Sequence, residues 1–219
     1  MSIDFPRTLE PIDTSDMIAI HGVFRDAFGP AQERIARVDD DPAQAALIST
    51  YYANILALLQ VHHEGEDKLL WPKLTARRPE AAELFASMQA QHAQVHEAIE
   101  MAVVALDGWT TDRNAATTQA FVTALATVNE QVIPHLDQEE RDILPIVAEV
   151  ITGPEWGELP SHGLQNFSGD KPWLILGLIR EKMSPEALIH MDAHMPPPAV
   201  EFWATAGHSM FDGFIAQIR

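Results

Sequence analysis

Three pairs of chemically active side chains recur with one spacing in the first two thirds of the sequence. Each pair joins a histidine to a glutamate or a second histidine four positions later: His62 and Glu66, His92 and His96, and His135 and Glu139. Residues four apart on an α-helix lie on the same face, one turn above the other. Each pair can therefore direct two ligand atoms at one point. His21, which apolar residues flank on an earlier segment, can add another inward-facing imidazole.

Two of these pairs belong to an internal repeat. A histidine, a glutamate, a second acid, an apolar pair and a proline fall at identical offsets in His62-x-x-x-Glu66-Asp67-x-x-Leu70-Trp71-Pro72 and in His135-x-x-x-Glu139-Glu140-x-x-Ile143-Leu144-Pro145. The repeat aligns His63 with Leu136, so we take His62, and not His63, as the inward-facing histidine. Asp67 and Glu140 are then outer acids, predicted to hold ligand histidines by hydrogen bonds.

A metal site competes here with an ordinary polar core. A single inward-facing histidine is more often a hydrogen-bonded core residue than a ligand, and a single His-x-x-x-Glu pair is common on solvated helices. In this sequence, however, five histidines and two carboxylates share the apolar faces of four segments. Burying them without partners would cost about 1–3 kcal/mol per group. Because no other polar partners are in sight for so many groups, the pattern favours metal binding.

The ligand types indicate which metal and how many ions. Imidazole and carboxylate together suit iron, manganese or zinc, and seven side chains are too many for one tetrahedral zinc. Two octahedral ions offer twelve positions, of which five histidines and two bridging carboxylates fill nine. A bridging oxide or hydroxide fills two more, and one stays open for a small molecule. We therefore predict two iron ions, with manganese and zinc as the alternatives.

The elements that position these residues are predicted to be helices. Apolar residues recur at intervals of three and four where proline and glycine are sparse, which predicts long helices over about 14–28, 42–74, 79–107 and 114–150. Short links between them indicate an all-α fold, an up-and-down antiparallel four-helix bundle formed by residues 1–150. Pro134 predicts a kink in the last of these helices.

The composition changes after residue 150, where prolines and tryptophans become frequent. Residues 151–219 are predicted to form a short helical C-terminal extension that packs on the bundle. Its helices are expected at about 173–182, 185–194 and 198–218. His190 and His194 are also four apart but have no carboxylate nearby, so we interpret them as surface or interface residues.

Charge and cysteine content exclude several other functions. Lys and Arg number 14 against 32 Asp and Glu, and a formal net charge of −18 argues against nucleic acid and anionic membranes as partners. The absence of cysteine excludes disulfides, thiolate zinc sites, iron–sulfur clusters and thiol catalysis. No secretory signal is apparent, and no apolar stretch reaches the roughly 20 residues that cross a bilayer. These features predict a cytoplasmic protein.

The motifs, taken in order, resemble those of the hemerythrin-like family, also called the HHE cation-binding domain. The resemblance covers roughly residues 14–150. It implies an antiparallel four-helix bundle with an oxo- or hydroxo-bridged di-iron centre. It also implies terminal ligation by His21, His62, His92, His96 and His135, and bridging by Glu66 and Glu139. In oxygen-carrying hemerythrins the last carboxylate is an aspartate five positions after its histidine. Glu139 follows His135 by four, which resembles the bacterial branch of the family.

Three hypotheses about function follow. The first is a di-iron protein that binds or reacts with dioxygen, peroxide or nitric oxide at one open iron position, as an enzyme if it turns them over. The second is a non-catalytic module that senses iron or oxygen, or simply binds metal. The third is a structural bundle with zinc or no metal. Turnover separates the first two, and metal analysis decides the third.

Overall fold

The structure is a computed structural model that describes residues 11–38 and 41–219. Every regular element within these residues is helical, which confirms the all-α prediction. The first long helix, α1, spans Ser15–Phe28, and a short helix, α2, follows at Ala31–Ala36. The break between them falls at Gly29-Pro30.

The second and fourth predicted helices are each composite, because a single π turn divides them. Helix α3 (Pro42–Gly65) runs into a π turn at Glu66–Leu70 and then into α4 (Trp71–Arg77). Helix α6 (Ala115–Gln138) runs into a π turn at Glu139–Ile143 and then into α7 (Leu144–Val150). Helix α6 continues through Pro134, and its change of geometry comes five residues later, at the π turn.

The third long helix, α5, spans Ala82–Thr111 and follows a 3₁₀ turn at Pro79–Ala81. It therefore runs a few residues further than the predicted end near residue 107. Helix α6 begins at a capping box, in which the Asn114 side chain accepts from the Thr117 backbone while the Thr117 hydroxyl accepts from the Asn114 backbone. Such local signals explain why the starts of these helices could be predicted.

The four long helices pack in a ring, since α1 contacts α3 and α6, and α5 contacts the same two helices. The up-and-down antiparallel order of these helices stays a prediction. Their inward faces form two apolar clusters, and Phe24, Leu59 and Phe121 are fully buried in the larger one. Trp71 and Phe85 lie in the smaller one. Along the two composite helices the polar residues of the repeat fall between the two clusters.

The extension contains more helices than predicted. It comprises α8 (Gly153–Trp156), α9 (Glu158–Asn166), α10 (Pro172–Arg180), α11 (Pro185–His194), α12 (Pro197–Phe202), a π turn (Trp203–Gly207) and α13 (His208–Ile218). Helices α8 and α9 occupy a stretch in which no helix was predicted. Helix α8 begins at a Thr152–Glu155 capping box, which offers a physical reason for its position.

Two helices of the extension pack into the main core. Helices α10 and α13 contact each other and α3, and Leu174, Leu178 and Phe211 join the larger apolar cluster. A Cβ atom on Gly177 would lie 2.2 Å from the Phe211 ring, so the contact between α10 and α13 depends on a glycine there. In the part of the chain that the structure describes, no helix is long and apolar enough to span a membrane.

Candidate metal centre

Seven polar side chains from the four long helices converge between the two apolar clusters. They are His21 on α1, His62 and His63 on α3, Glu66 at the first π turn, His92 on α5, His135 on α6 and Glu139 at the second π turn. Six of the seven are buried, and the side chain of His62 is only 6% exposed. Six of these residues were predicted as ligands from the sequence, and His63 was not.

The two glutamates sit at equivalent places, each as the first residue of a π turn. In the first turn the Trp71 backbone N–H donates to the Glu66 carbonyl, and in the second Leu144 donates to Glu139. Proline follows in both repeats, at Pro72 and at position 145, and its missing N–H cannot continue the α-helical ladder. Single π turns are rare and occur often at functional sites. The repeat seen in the sequence is therefore a repeat of backbone geometry as well as of ligand types.

The seven residues form two groups that share one member. His63, Glu66, His92 and His135 make up one group, and His21, His62, Glu66 and Glu139 the other. In each group the residues offer ligand atoms that all lie within 4.8 Å of one another. Glu66 belongs to both groups and so connects them.

The distances at Glu66 show how it faces the two groups. Its Oε1 atom lies 3.2 Å from His62 Nε2, and its Oε2 atom lies 3.3 Å from His92 Nε2. Each carboxylate oxygen thus meets the imidazole of a different group. The Oε2 atom of Glu139 lies 3.4 Å from His21 Nε2 and 3.6 Å from His135 Nε2, so this carboxylate also stands between residues of both groups.

The inward-facing atoms of the cluster lack hydrogen-bond partners. The Nε2 atoms of all five histidines and both carboxylate oxygens of Glu66 and Glu139 are buried without a partner among the described residues. Leaving buried polar groups unsatisfied costs about 1–3 kcal/mol each, and more for charged groups. Cations bound among these atoms would satisfy them together. Imidazole and carboxylate are donors that suit iron, manganese and zinc, so the residues present fit a metal centre.

Outer hydrogen bonds orient three of the imidazoles. The Nδ1 atom of His92 lies 2.8 Å from Asp67 Oδ1, and that of His21 lies 2.8 Å from Glu140 Oε1. The two outer acids therefore act as predicted. A donor at Nδ1 leaves the Nε2 lone pair directed at the cluster, which is the tautomer that binds metal.

Gln91 orients the third imidazole, a role that was not predicted. Its Oε1 atom lies 3.2 Å from His135 Nδ1, and Gln138 Oε1 accepts from its amide at 2.8 Å. A lone glutamine beside a histidine carries no spacing signal. Only the approach of α5 to α6 reveals the pair.

His96 was predicted as a ligand, but the structure does not bring it to the cluster. Its side chain is 54% exposed and its Nε2 atom lies 3.4 Å from Glu100. His63 stands in its place, with its ring stacked on His92. Because His63 aligns with Leu136 in the repeat, His63 was predicted to face outward. Leu136 is in fact fully buried, so the repeat marks an interior position, and an apolar partner in the alignment was the available signal.

Burial shifts the pKa values of the cluster in both directions. Burial, together with the nearby Glu66 carboxylate, raises the pKa of Glu139 to about 8. It lowers the pKa of His135 to about 2, with the neighbouring His92 and His21 adding to the effect. Although burial opposes it, the hydrogen bond with Asp67 and the proximity of the Glu66 carboxylate raise the pKa of His92 to about 9. Such opposed shifts are typical of functional sites.

A cleft leads from the surface to one side of the cluster. It has a volume of about 300 Å³ and lies between α3 and α5, where His63 and His92 form part of its wall. Asp67 and His96, both exposed, line it as well. The group that contains His63, His92 and His135 is therefore the one that small molecules in this cleft would meet.

Comparison with known proteins gives one match. The family model described as the hemerythrin HHE cation binding domain matches residues 13–147. These residues include all seven members of the cluster and stop short of the extension. No curated protein and no solved structure matches the chain significantly.

Proposed function

Because the chain belongs to the hemerythrin HHE cation-binding domain family, we propose that it holds two iron ions, with manganese or zinc as the alternatives. In this proposal the four long helices form the up-and-down antiparallel bundle of residues 1–150, with residues 151–219 as an extension. We also propose that it belongs to the bacterial branch of the family, which the histidine–glutamate spacing at His135 and Glu139 supports. A cytoplasmic location remains a prediction from the sequence.

The observation that carries the proposal is the set of buried atoms without partners. Five imidazole nitrogens and four carboxylate oxygens face one another in two groups that share Glu66. His63, His92 and His135 would hold one ion, and His21 and His62 the other. Glu66 and Glu139 would bridge the two. Nine side-chain donors exceed what one tetrahedral zinc accepts, whereas two octahedral ions accept all nine.

We propose that the bound metal pair binds or reacts with dioxygen, peroxide or nitric oxide. When bound, two redox-active ions supply or accept the electrons that these small molecules need. The chain's own residues hold the ions apart, fix the imidazole tautomers through Asp67 and Glu140, and exclude bulk water with the apolar clusters on either side. The cleft beside His63 and His92 admits molecules of this size.

Turnover by the iron-loaded protein tests this function. Wild-type protein is compared with His62→Ala, which removes a ligand atom, and with His96→Ala, which changes an exposed histidine of the same cleft. Consumption of hydrogen peroxide and of nitric oxide is followed under steady-state conditions. We expect wild-type and His96→Ala proteins to consume at least one of them at similar rates and His62→Ala to lose the activity. Equal rates in wild-type protein and His62→Ala would defeat the catalytic proposal.

A non-catalytic sensing module is the second candidate, and one contact favours it. Glu140, which holds His21, also accepts from Arg25 at 2.7 Å, and Arg25 lies at the junction of the bundle and the extension. A change at the cluster could reach the extension along this path. Metal-dependent protection of α10 and α13 from hydrogen exchange, without turnover, is the expected result for a sensor. If hydrogen exchange in α10 and α13 does not depend on metal, the sensing function is ruled out.

A further inference from the structure

A second cavity lies away from the metal cluster, where the extension meets the bundle. It has a volume of about 260 Å³. Residues of α1 and Tyr51 of α3 form one wall, and residues of α10, α13 and the turn after α10 form the other. None of its lining residues belongs to the seven of the metal cluster, and it does not overlap the cleft beside His63 and His92.

Positive charge is concentrated in this cavity. Four cationic side chains line it, Arg25, Arg34, Lys182 and Arg219, against only two carboxylates, Asp26 and Glu181. The whole chain has 14 Lys and Arg against 32 Asp and Glu. The cavity wall has twice as many cationic as anionic side chains, so its charge balance is opposite to that of the whole chain. Such a concentration attracts small anions to the cavity.

Arg34 is the cation of this cavity that has no ion-pair partner among the described residues. Arg25 contacts Asp137 and Glu140, Lys182 contacts Asp26, and Arg219 contacts Glu181. Arg34 instead donates to the Ala27 carbonyl at 3.1 Å and to the Tyr52 hydroxyl at 3.0 Å, and it makes no ion pair with a described carboxylate. Its guanidinium thus brings an uncompensated positive charge to the cavity wall.

Tyr51 gives an independent indication of a ligand. Its side chain is 3% exposed, its ring lies 5.0 Å from Arg34 Cζ, and it lines the cavity. Its hydroxyl has no hydrogen-bond partner in the described part of the chain, whereas the neighbouring Tyr52 hydroxyl donates to Ala27. Burial raises the pKa of Tyr51, so the hydroxyl remains a donor at neutral pH. A hydroxyl that is open to the cavity, on a side chain that is otherwise buried and supplies no protein acceptor for it, favours a ligand that carries one.

We propose that this cavity binds a small oxyanion that bears a carboxylate, phosphate or sulfate group. Arg34 and the Tyr51 hydroxyl donate to its oxygens, and Arg219 and Lys182, each paired with a carboxylate, lie beside them in the wall. Leu178, Ile215 and Ile218 provide an apolar floor for a short carbon chain. Planar guanidinium groups bind oxyanions through paired hydrogen bonds. This geometry suits a carboxylate as well as a tetrahedral phosphate or sulfate group.

The cavity is also linked to the metal cluster. Arg25 in its wall donates to Glu140 Oε1 at 2.7 Å, and the same oxygen lies 2.8 Å from His21 Nδ1. An anion that draws Arg25 toward the cavity would weaken its hold on Glu140. Bound anion and the orientation of His21 are therefore coupled, although anion binding itself requires no metal.

Isothermal titration calorimetry of the full chain, in the metal state in which it is purified, tests the site. Sulfate probes the tetrahedral class of ligand and succinate the carboxylate class, with sodium chloride at matched ionic strength as the reference. We expect saturable binding of at least one probe with a Kd on the order of 1 mM or tighter. Arg34→Gln should weaken it about tenfold or more, and Tyr51→Phe several-fold.

Arg37→Gln is the matched control, because it removes the same charge directly after α2 at a side chain that is 69% exposed and outside the cavity. It should bind the probes as wild-type protein does. If Arg37→Gln weakens probe binding as much as Arg34→Gln does, the effect comes from the overall charge of the protein, and the proposed site is overturned. Absence of saturable binding of both probes would overturn it as well. Either result leaves the metal proposal untouched, since metal content is measured separately.

Discussion

The imidazole rings of His63 and His92 are stacked, with centroids 4.1 Å apart and planes inclined by 11°. One ring comes from α3 and the other from α5, and both belong to the group that includes Glu66 and His135. This pair occupies the place where the sequence suggested a pairing of His92 with His96 along one helix. Two helices, and not one, therefore supply the stacked imidazoles beside the cleft, and α6 adds His135 to the same group.

Replacing His63 tests this assignment. His63→Phe keeps an aromatic ring for the stacked pair but removes the ligand nitrogen, so we expect about one of two metal ions to be lost from each chain. His96→Ala is the control, because its exposed side chain is predicted to leave metal content unchanged. Elemental analysis of both purified variants gives the answer. Metal loss in His96→Ala with full occupancy in His63→Phe would restore the original assignment.

The outer acids are expected to tune metal affinity without touching the ions. Asp67→Ala and Glu140→Ala remove the acceptors at His92 and His21, and loss of such partners typically weakens metal binding by about 10–100-fold. Competition with a chromophoric chelator measures the change. Glu64→Ala is the control. Glu64 lines the cleft beside His63 and His92 but pairs with Lys68, so this variant should bind metal as tightly as wild-type protein. A similar loss in all three variants would contradict a specific role for the two acids.

Removing a buried carboxylate should separate stability from metal binding. In Glu139→Met the metal-dependent increase in Tm is expected to shrink, because a ligand shared by the two sides is gone. For the metal-free proteins, the free energy of unfolding of the variant should equal that of wild-type protein or exceed it by up to about 3 kcal/mol. The reason is that the substitution removes unsatisfied buried oxygens. Thermal unfolding with and without chelator provides both numbers. A metal-free variant clearly less stable than wild-type protein would mean that Glu139 has a structural partner.

A glycine at the junction of α10 and α13 allows the extension to pack closely. Gly177→Ala would bring a Cβ within 2.2 Å of the Phe211 ring and should destabilise the protein by about 1–3 kcal/mol. Gly213→Ala on α13 has open space around its Cβ and should stabilise by up to about 1 kcal/mol through helix propensity. Urea unfolding compares the two. Equal effects of both alanines would show that the α10–α13 contact adapts freely.

An ion pair between α4 and α8 predicts a pH dependence of stability. The Arg77 guanidinium donates to both oxygens of Glu155 and, with Thr152, lowers the pKa of Glu155 to about 2. Because the folded-state pKa lies below the unfolded value, the stabilisation is complete above pH 4.5 and is lost as pH falls toward 2.

Glu155→Gln should therefore cost about 0.5–1 kcal/mol at pH 7, and the difference from wild-type protein should narrow below pH 4.5. Urea unfolding at pH 7, 5 and 3.5 measures the trend. A difference that stays constant with pH would mean that the effect of the substitution does not arise from ionisation of Glu155.

Much of the fold could be predicted because its signals are local. Apolar spacing gave the four long helices, and the cap of α6 at Asn114 fixed one of their starts. The π turns could not be predicted from spacing, since an extra residue in a turn leaves the ligand pair of the preceding turn unchanged. Their only trace is the proline that follows each glutamate at a fixed offset. Helix α9 was missed because prolines and glycines suggested a loop.

The candidate site was predicted as a set, with one histidine exchanged. Spacing of four identifies partners on one helix, so His62 with Glu66 and His135 with Glu139 were accessible from the sequence. Whether His63 or His96 completes the set depends on how α3 and α5 are rotated about their axes, which is a property of packing. Gln91 and Arg25 also became visible only through contacts between helices.

Metal stoichiometry after loading with ferrous iron without oxygen and removal of unbound metal tests the central claim most directly. Two iron ions per chain are expected, because two groups of buried ligands share Glu66. One ion per chain, or iron that a desalting column removes, would contradict a two-metal centre at these seven residues.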